Sequence, residues 1–160
     1  MNEIGIMQGR LSPPPLGRLQ AFPWKSWEEE FRHARACGFN TIEWLLFEAD
    51  GYEQNPIWTD SGLEKIHRLI ASSGVQVRTL CADYFMTHPF FRVLENDRAV
   101  TVAVLNNLIV QAAKVGIVII LLPVWWPAKE ITSALHGFSL HSFCLQSCQR
   151  GCQQRAPPGF

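Results

Sequence analysis

The sequence predicts an α/β chain: a partial (β/α)8 TIM barrel of about four strand-helix units, followed by an irregular C-terminal tail. Three observations predict it. An amphipathic segment ending at a glycine runs within two residues into an apolar, β-branched stretch at Cys37-Gly38-Phe39-Asn40-Thr41-Ile42, at Ser73-Gly74-Val75-Gln76-Val77 and at Val115-Gly116-Ile117-Val118-Ile119. The segments before those glycines carry helix start signals. The alternation is strict, which implies a parallel sheet with right-handed crossovers.

The opening strand is Glu3-Ile4-Gly5-Ile6-Met7, and further strands are expected near residues 40–46, 75–81 and 117–122. Glycine closes each helix because it accepts the left-handed conformation, and a short link into a buried strand is the ordinary αβ connection. Ser26-Trp27-Glu28-Glu29 and Ser61-Gly62-Leu63-Glu64 read as capping boxes. Phe31 and Ala34 continue an apolar face in the first helix, and Leu63, Ile66, Leu69 and Ile70 do so in the second. A third helix, from about Asn96 to Lys114, places Val100, Val104, Leu105, Leu108 and Ala112 at helical spacing. A doubly wound sheet and a barrel both fit this order. The wide spacing of Gly38, Gly74 and Gly116 favours a barrel with elaborated loops.

Composition excludes several function classes. The chain has 160 residues, 48% hydrophobic and 18% charged, which is the range of one globular domain. Lysine plus arginine and aspartate plus glutamate number 14 each, so there is no net basic field to hold nucleic acid. The longest apolar run, Ile117 to Leu122 and on to Trp126, is far short of the roughly 18 residues of a membrane span; it reads as a strand buried on both faces. The N-terminus lacks the basic and apolar regions of a signal peptide, so a cytoplasmic location is expected. Five cysteines, with Cys37 and Cys81 far from Cys144, Cys148 and Cys152, form no disulfide framework.

In either parallel architecture ligands bind beyond the C-terminal strand ends. The residues there are Gln8-Gly9-Arg10, Glu43-Trp44, Cys81-Ala82-Asp83-Tyr84 with His88 further on, and Pro123. Glu43 is the sharpest of them. A carboxylate inside Thr41-Ile42-Glu43-Trp44-Leu45-Leu46 must be paired, hydrogen-bonded or at a cleft to stay charged. Arg10 has two readings, a structural partner of Glu43 or a direct substrate contact. Asp83 and His88 flank Tyr84-Phe85-Met86 and Phe90-Phe91, aromatics that wall a small polar ligand or pack over a barrel rim.

Four stretches carry a family resemblance: Gly5-Ile6-Met7-Gln8-Gly9-Arg10-Leu11-Ser12, Gln20-Ala21-Phe22-Pro23-Trp24, Gly38-Phe39-Asn40-Thr41-Ile42-Glu43-Trp44 and Cys81-Ala82-Asp83-Tyr84-Phe85-Met86. Over residues 1 to about 123 the chain resembles the xylose-isomerase-like barrel family of sugar phosphate isomerases and epimerases. The resemblance implies a sugar or sugar phosphate at the strand ends and proton transfer beside a carbonyl. It also implies a divalent metal, Mn or Mg, to stabilise the enediolate oxygen. In that family the metal ligands come mainly from later strands, so no ligand is assigned here, and the catalytic residues stay unassigned. Glu43, Asp83, His88, Arg10 and Trp44 are expected as substrate-binding residues.

The pattern breaks after Val124. Residues 1–124 read as the N-terminal half of such a barrel, and residues 125–160 as an atypical tail rich in Gln, Ser and Cys. A complete barrel needs roughly another hundred residues, so the tail is expected to reflect truncation, a shifted reading frame or a damaged gene end, and the chain to be inactive alone. Cys144, Cys148 and Cys152 with His141 offer a zinc-binding alternative, and Ser12-Pro13-Pro14-Pro15 a polyproline ligand or a stiff loop. Two rival functions remain: a non-catalytic half-barrel that forms a homodimer or an interaction module, and a metal nuclease of the endonuclease-IV-like kind. Neutral charge and sparse histidines argue against the nuclease.

Overall fold

Short β-branched and apolar runs pair side by side into one sheet. The structure is a computed structural model that describes residues 4–13, 17, 21–47 and 51–123. Its strands are β1 (Gly5–Met7), β2 (Thr41–Leu45), β3 (Gln76–Cys81) and β4 (Ile119–Leu121). All neighbouring pairs are parallel, in the order β1-β2-β3-β4. Strands that follow one another without reversal give the arrangement of a barrel wall, whereas a doubly wound sheet reverses at its switch point.

The helices are α1 (Trp27–Ala36), α2 (Asp60–Ser73), a single turn α3 (Tyr84–Thr87) and α4 (Glu95–Val115). Two 3-10 turns, Tyr52–Gln54 and Pro56–Trp58, precede α2. Gly38, Gly74 and Gly116 all take positive φ, at 84°, 75° and 96°, so the repeated glycine marks the same left-handed helix exit three times.

Residues that alternate along each strand divide the sheet into two faces. Ile42 and Trp44 of β2 lie in register with Val77 and Leu80 of β3, and all four are buried. This is the helix side, since the Trp44 ring meets Trp27 of α1 edge to face at 5.6 Å. On the opposite face Met7 pairs with Glu43 and Glu43 with Thr79, and all three are half-buried. A bulge after Ile42 leaves Arg78 as the extra residue of β3 and keeps Glu43 and Thr79 together. The core on the helix side joins Phe22, Trp27, Phe31, Trp44, Ile57, Ile66, Leu80 and Leu108.

Several local expectations are corrected. Ser26 makes no side-chain cap; α1 starts instead from Trp27 N donating to Pro23 O at 2.8 Å. The cap of α2 is Thr59, whose hydroxyl accepts from Gly62 N at 3.1 Å, and Ser61 lies inside the helix. Val100 is 60% exposed rather than part of the apolar face of α4, which buries Leu105, Leu108 and Ala112. The strand expected to be buried on both faces is shorter and open. Among the described residues β4 pairs only with β3, so Val118, Ile119 and Leu121 are more than half exposed. The tail from Val124, with Cys144, Cys148, Cys152 and His141, and prolines Pro14 and Pro15 lie outside the described residues. No helix among the described residues is long and apolar enough to cross a membrane.

Candidate functional site

The C-terminal ends of β1, β2 and β3 stand side by side, and each carries polar groups. At the end of β1, Gln8 N donates to Glu43 O at 3.0 Å. Its side chain then takes over the ladder, Gln8 Oε1 accepting from Leu45 N at 3.2 Å. The strand can therefore leave the sheet at Gly9 without orphaning the β2 amide. Arg10, just beyond, is exposed, and its guanidinium lies 3.8 Å from Met7 Sδ. No ion pair joins Arg10 to Glu43, so the structural partnership considered from the sequence does not form.

Glu43 and Trp44 are neighbours in sequence but point to opposite faces. Glu43 is half-buried on the face away from the helices. Trp44 corrects the expectation of a substrate contact: it is fully buried, its Nε1 donates to Asn55 Oδ1 at 3.0 Å, and its ring packs against Phe22 and Trp27. The alternation of a strand puts only one of the two on each side. Asn55, which sequence reasoning missed, also accepts from Ile57 N at 3.1 Å and donates Nδ2 to Leu45 O at 3.1 Å. It binds the loop after β2 to the strand end.

At the end of β3 the Cys81 thiol donates to Asp83 Oδ1 at 3.1 Å. Asp83 is 4% exposed, and its second oxygen, Oδ2, is buried with no hydrogen-bond partner among the described residues. Burial pushes the Cys81 thiol up to about 12, helped by the hydrogen bond to Asp83 and by the charges of Asp83 and Glu43. By register Glu43 lies opposite Thr79, two residues before Cys81, which places it at the strand end next to the one that carries Asp83. Tyr84 N donates to Leu46 O at 3.1 Å, which fastens the start of α3 to the end of β2.

His88 follows α3 and folds back on it, its ring stacked on Tyr84 at 4.1 Å and 3°. Its Nδ1 lies 3.3 Å from both Tyr84 O and Thr87 Oγ1. Tyr84, Phe85 and Phe90 are buried, with Phe85 and Phe90 stacked at 5.0 Å. Met86 alone of the group is exposed at its large side chain.

A further residue missed from sequence is Glu30 of α1, which is 1% exposed and receives Gly9 N, Leu11 N and the Ser12 hydroxyl. The signal was present: Glu30 sits with Trp27, Phe31 and Ala34 on the buried stripe of α1. A carboxylate on such a stripe must find donors.

Two carboxylates at adjacent strand ends can accept hydrogen bonds from ligand hydroxyls. Among the described residues no group of three or more His, Cys, Asp or Glu is arranged to hold a metal ion.

No family model matches the chain. A stretch of 65 residues is 31% identical to the Haemophilus influenzae protein named "Putative L-ribulose-5-phosphate 3-epimerase SgbU". That match covers 41% of this chain and 23% of the relative, less than a quarter of its length.

Proposed function

We propose that this chain is an isomerase- or epimerase-like protein whose strand ends bind a sugar or sugar phosphate. The observation that carries the reading is the Glu43, Cys81 and Asp83 corner, where a buried carboxylate oxygen lacks a donor at the position where parallel α/β sheets bind ligands. The name of the Haemophilus relative favours a pentulose phosphate as the class of ligand. In this reading the described residues form framework and binding rim: Glu43 and Asp83 accept ligand hydroxyls, and His88, held against Tyr84, borders the loop above them. Proton transfer and any metal are assigned to none of them.

Titration of the full chain with L-ribulose 5-phosphate, followed by NMR of Asp and Glu carboxyl carbons, tests this. Saturable shifts at Glu43 and Asp83 are expected, with Asp83→Asn weakening binding. Absence of any saturable shift, well above the millimolar range usual for enzyme substrates, would sink the reading.

A second reading is favoured by the exposed apolar residues of β4. Ile119 and Leu121, at 58% and 51% exposure, line the face opposite the helices beside a strand edge that pairs with no further strand among the described residues. Such an edge invites a second copy of the chain. Sedimentation that stays monomeric across concentration would remove the homodimer.

A further inference from the structure

The loop after β1 is held by a carboxylate that takes no part in the Glu43 and Asp83 corner. Glu30 Oε2 accepts from Gly9 N at 2.8 Å, and Oε1 accepts from Leu11 N at 3.2 Å and from the Ser12 hydroxyl at 2.7 Å. One turn along α1, His33 Nδ1 lies 3.1 Å from Leu11 O, the geometry of a ring N–H donating to the carbonyl. The residues on both sides of Arg10 are therefore fixed to α1, while Arg10 itself is exposed. Among the described residues its guanidinium has Met7 Sδ as a hydrogen-bond partner, at 3.8 Å, and no carboxylate in an ion pair. Met7 is the register partner of Glu43, so the cation stands at the next strand end without being neutralised by that carboxylate. Hydrogen bonds to a charged acceptor are the stronger kind, and three of them on one buried carboxylate make a stiff support.

We propose that Glu30 is a positioning residue that presents Arg10 to the phosphate of a phosphorylated ligand, whose hydroxyl-bearing end lies toward Glu43 and Asp83. The inference rests on the sugar-binding reading above and adds a direction to it. Charge decides the direction. A phosphate is repelled by Glu43 and Asp83, while a guanidinium matches its oxygens in pairs. Fixing the loop before binding removes an ordering cost that a free loop would carry.

The test measures the affinity of the full chain for ribulose 5-phosphate and for ribulose, and takes their ratio. Wild type is expected to prefer the phosphorylated form by about tenfold or more, the scale of one charge-assisted contact. Arg10→Ala brings the ratio close to one, and Arg10→Lys keeps part of it. Glu30→Gln lowers the ratio severalfold while ribulose alone binds as before, which a merely structural role would not produce. If Glu30→Gln fails to fold, Ser12→Ala removes one of the three bonds and gives a smaller loss in the same direction. An unchanged ratio in Arg10→Ala overturns the proposal and leaves the sugar site standing. Equal losses for both ligands in Glu30→Gln, or for Ser12→Ala where that variant decides, overturn the positioning role. Failure of wild type to bind either ligand removes the sugar-binding reading together with the proposal.

Discussion

Cys81 and Asp83 are joined by a thiol-to-carboxylate hydrogen bond of 3.1 Å at the end of β3, leaving Asp83 Oδ2 buried and without a partner among the described residues. The bond ties the last residue of a strand to the residue that opens α3. Burial, helped by this bond and by the charges of Asp83 and Glu43, keeps the thiol protonated.

This arrangement makes stability fall in alkali. The unfolded thiol ionises near its usual value of 9.0, whereas the folded one holds its proton to about 12. Between those values the unfolded state binds fewer protons, so the stabilisation is complete below pH 9, declines through that window and is lost by about pH 12. Denaturation of wild type and Cys81→Ser, measured across this range, should show a steeper loss for wild type.

The same burial separates two thiols by reactivity. Cys37 is exposed and Cys81 buried. Iodoacetamide at neutral pH should alkylate Cys37 in the native protein and leave Cys81 unmodified until denaturant is added, as read by peptide mass mapping. Equal rates at the two sites would contradict the placement of Cys81.

Asn55 is the more costly of the two residues in the Trp44 hydrogen bond. Trp44→Phe removes one bond, and Asn55 Oδ1 still receives Ile57 N, so a loss of about 1–2 kcal/mol is expected. Asn55→Ala orphans Trp44 Nε1, Ile57 N and Leu45 O together, and about 3 kcal/mol or more is expected from the same desolvation penalties. Urea denaturation should rank the two in that order.

Helix caps offer a direct contrast between sequence expectation and structure. Thr59→Ala should cost about 1 kcal/mol, since it removes the acceptor for Gly62 N. Ser26→Ala, at a position with no side-chain cap, should stay within about 0.5 kcal/mol of wild type. Thermal denaturation of the two variants distinguishes them.

Close approach explains why Gly62 tolerates no side chain. A Cβ there would lie 2.0 Å from Pro56 O, a backbone atom that cannot swing aside. Gly62→Ala should destabilise by about 1–3 kcal/mol through displacement of the Pro56–Trp58 turn. A melting temperature equal to that of wild type would show that the turn moves freely.

The strand and helix order was legible in the sequence because its signals are local. A glycine after an amphipathic run has one easy conformation, and Gly38, Gly74 and Gly116 all adopt it. Glu43 and Asp83 were legible as strand-end carboxylates for the same reason. The caps were not: Ser61 and Thr59 are both suitable cap residues, and only the 3-10 turn at Pro56–Trp58 sets which one faces the first helical amides. Trp44 was misplaced because adjacency in sequence is opposition across a strand.

What the sequence determined by itself was the α/β alternation, the parallel sheet and which residues stand at the strand ends, since periodicity and glycine exits depend on neighbours in the chain. Tertiary structure alone decided which groups meet. Glu30 reaches the loop around Arg10 from another element, Asn55 closes on Trp44, and the Cys81 thiol donates to Asp83. Partners brought together by packing leave no local pattern. A buried polar side chain announces that a partner is needed, and the fold supplies which one.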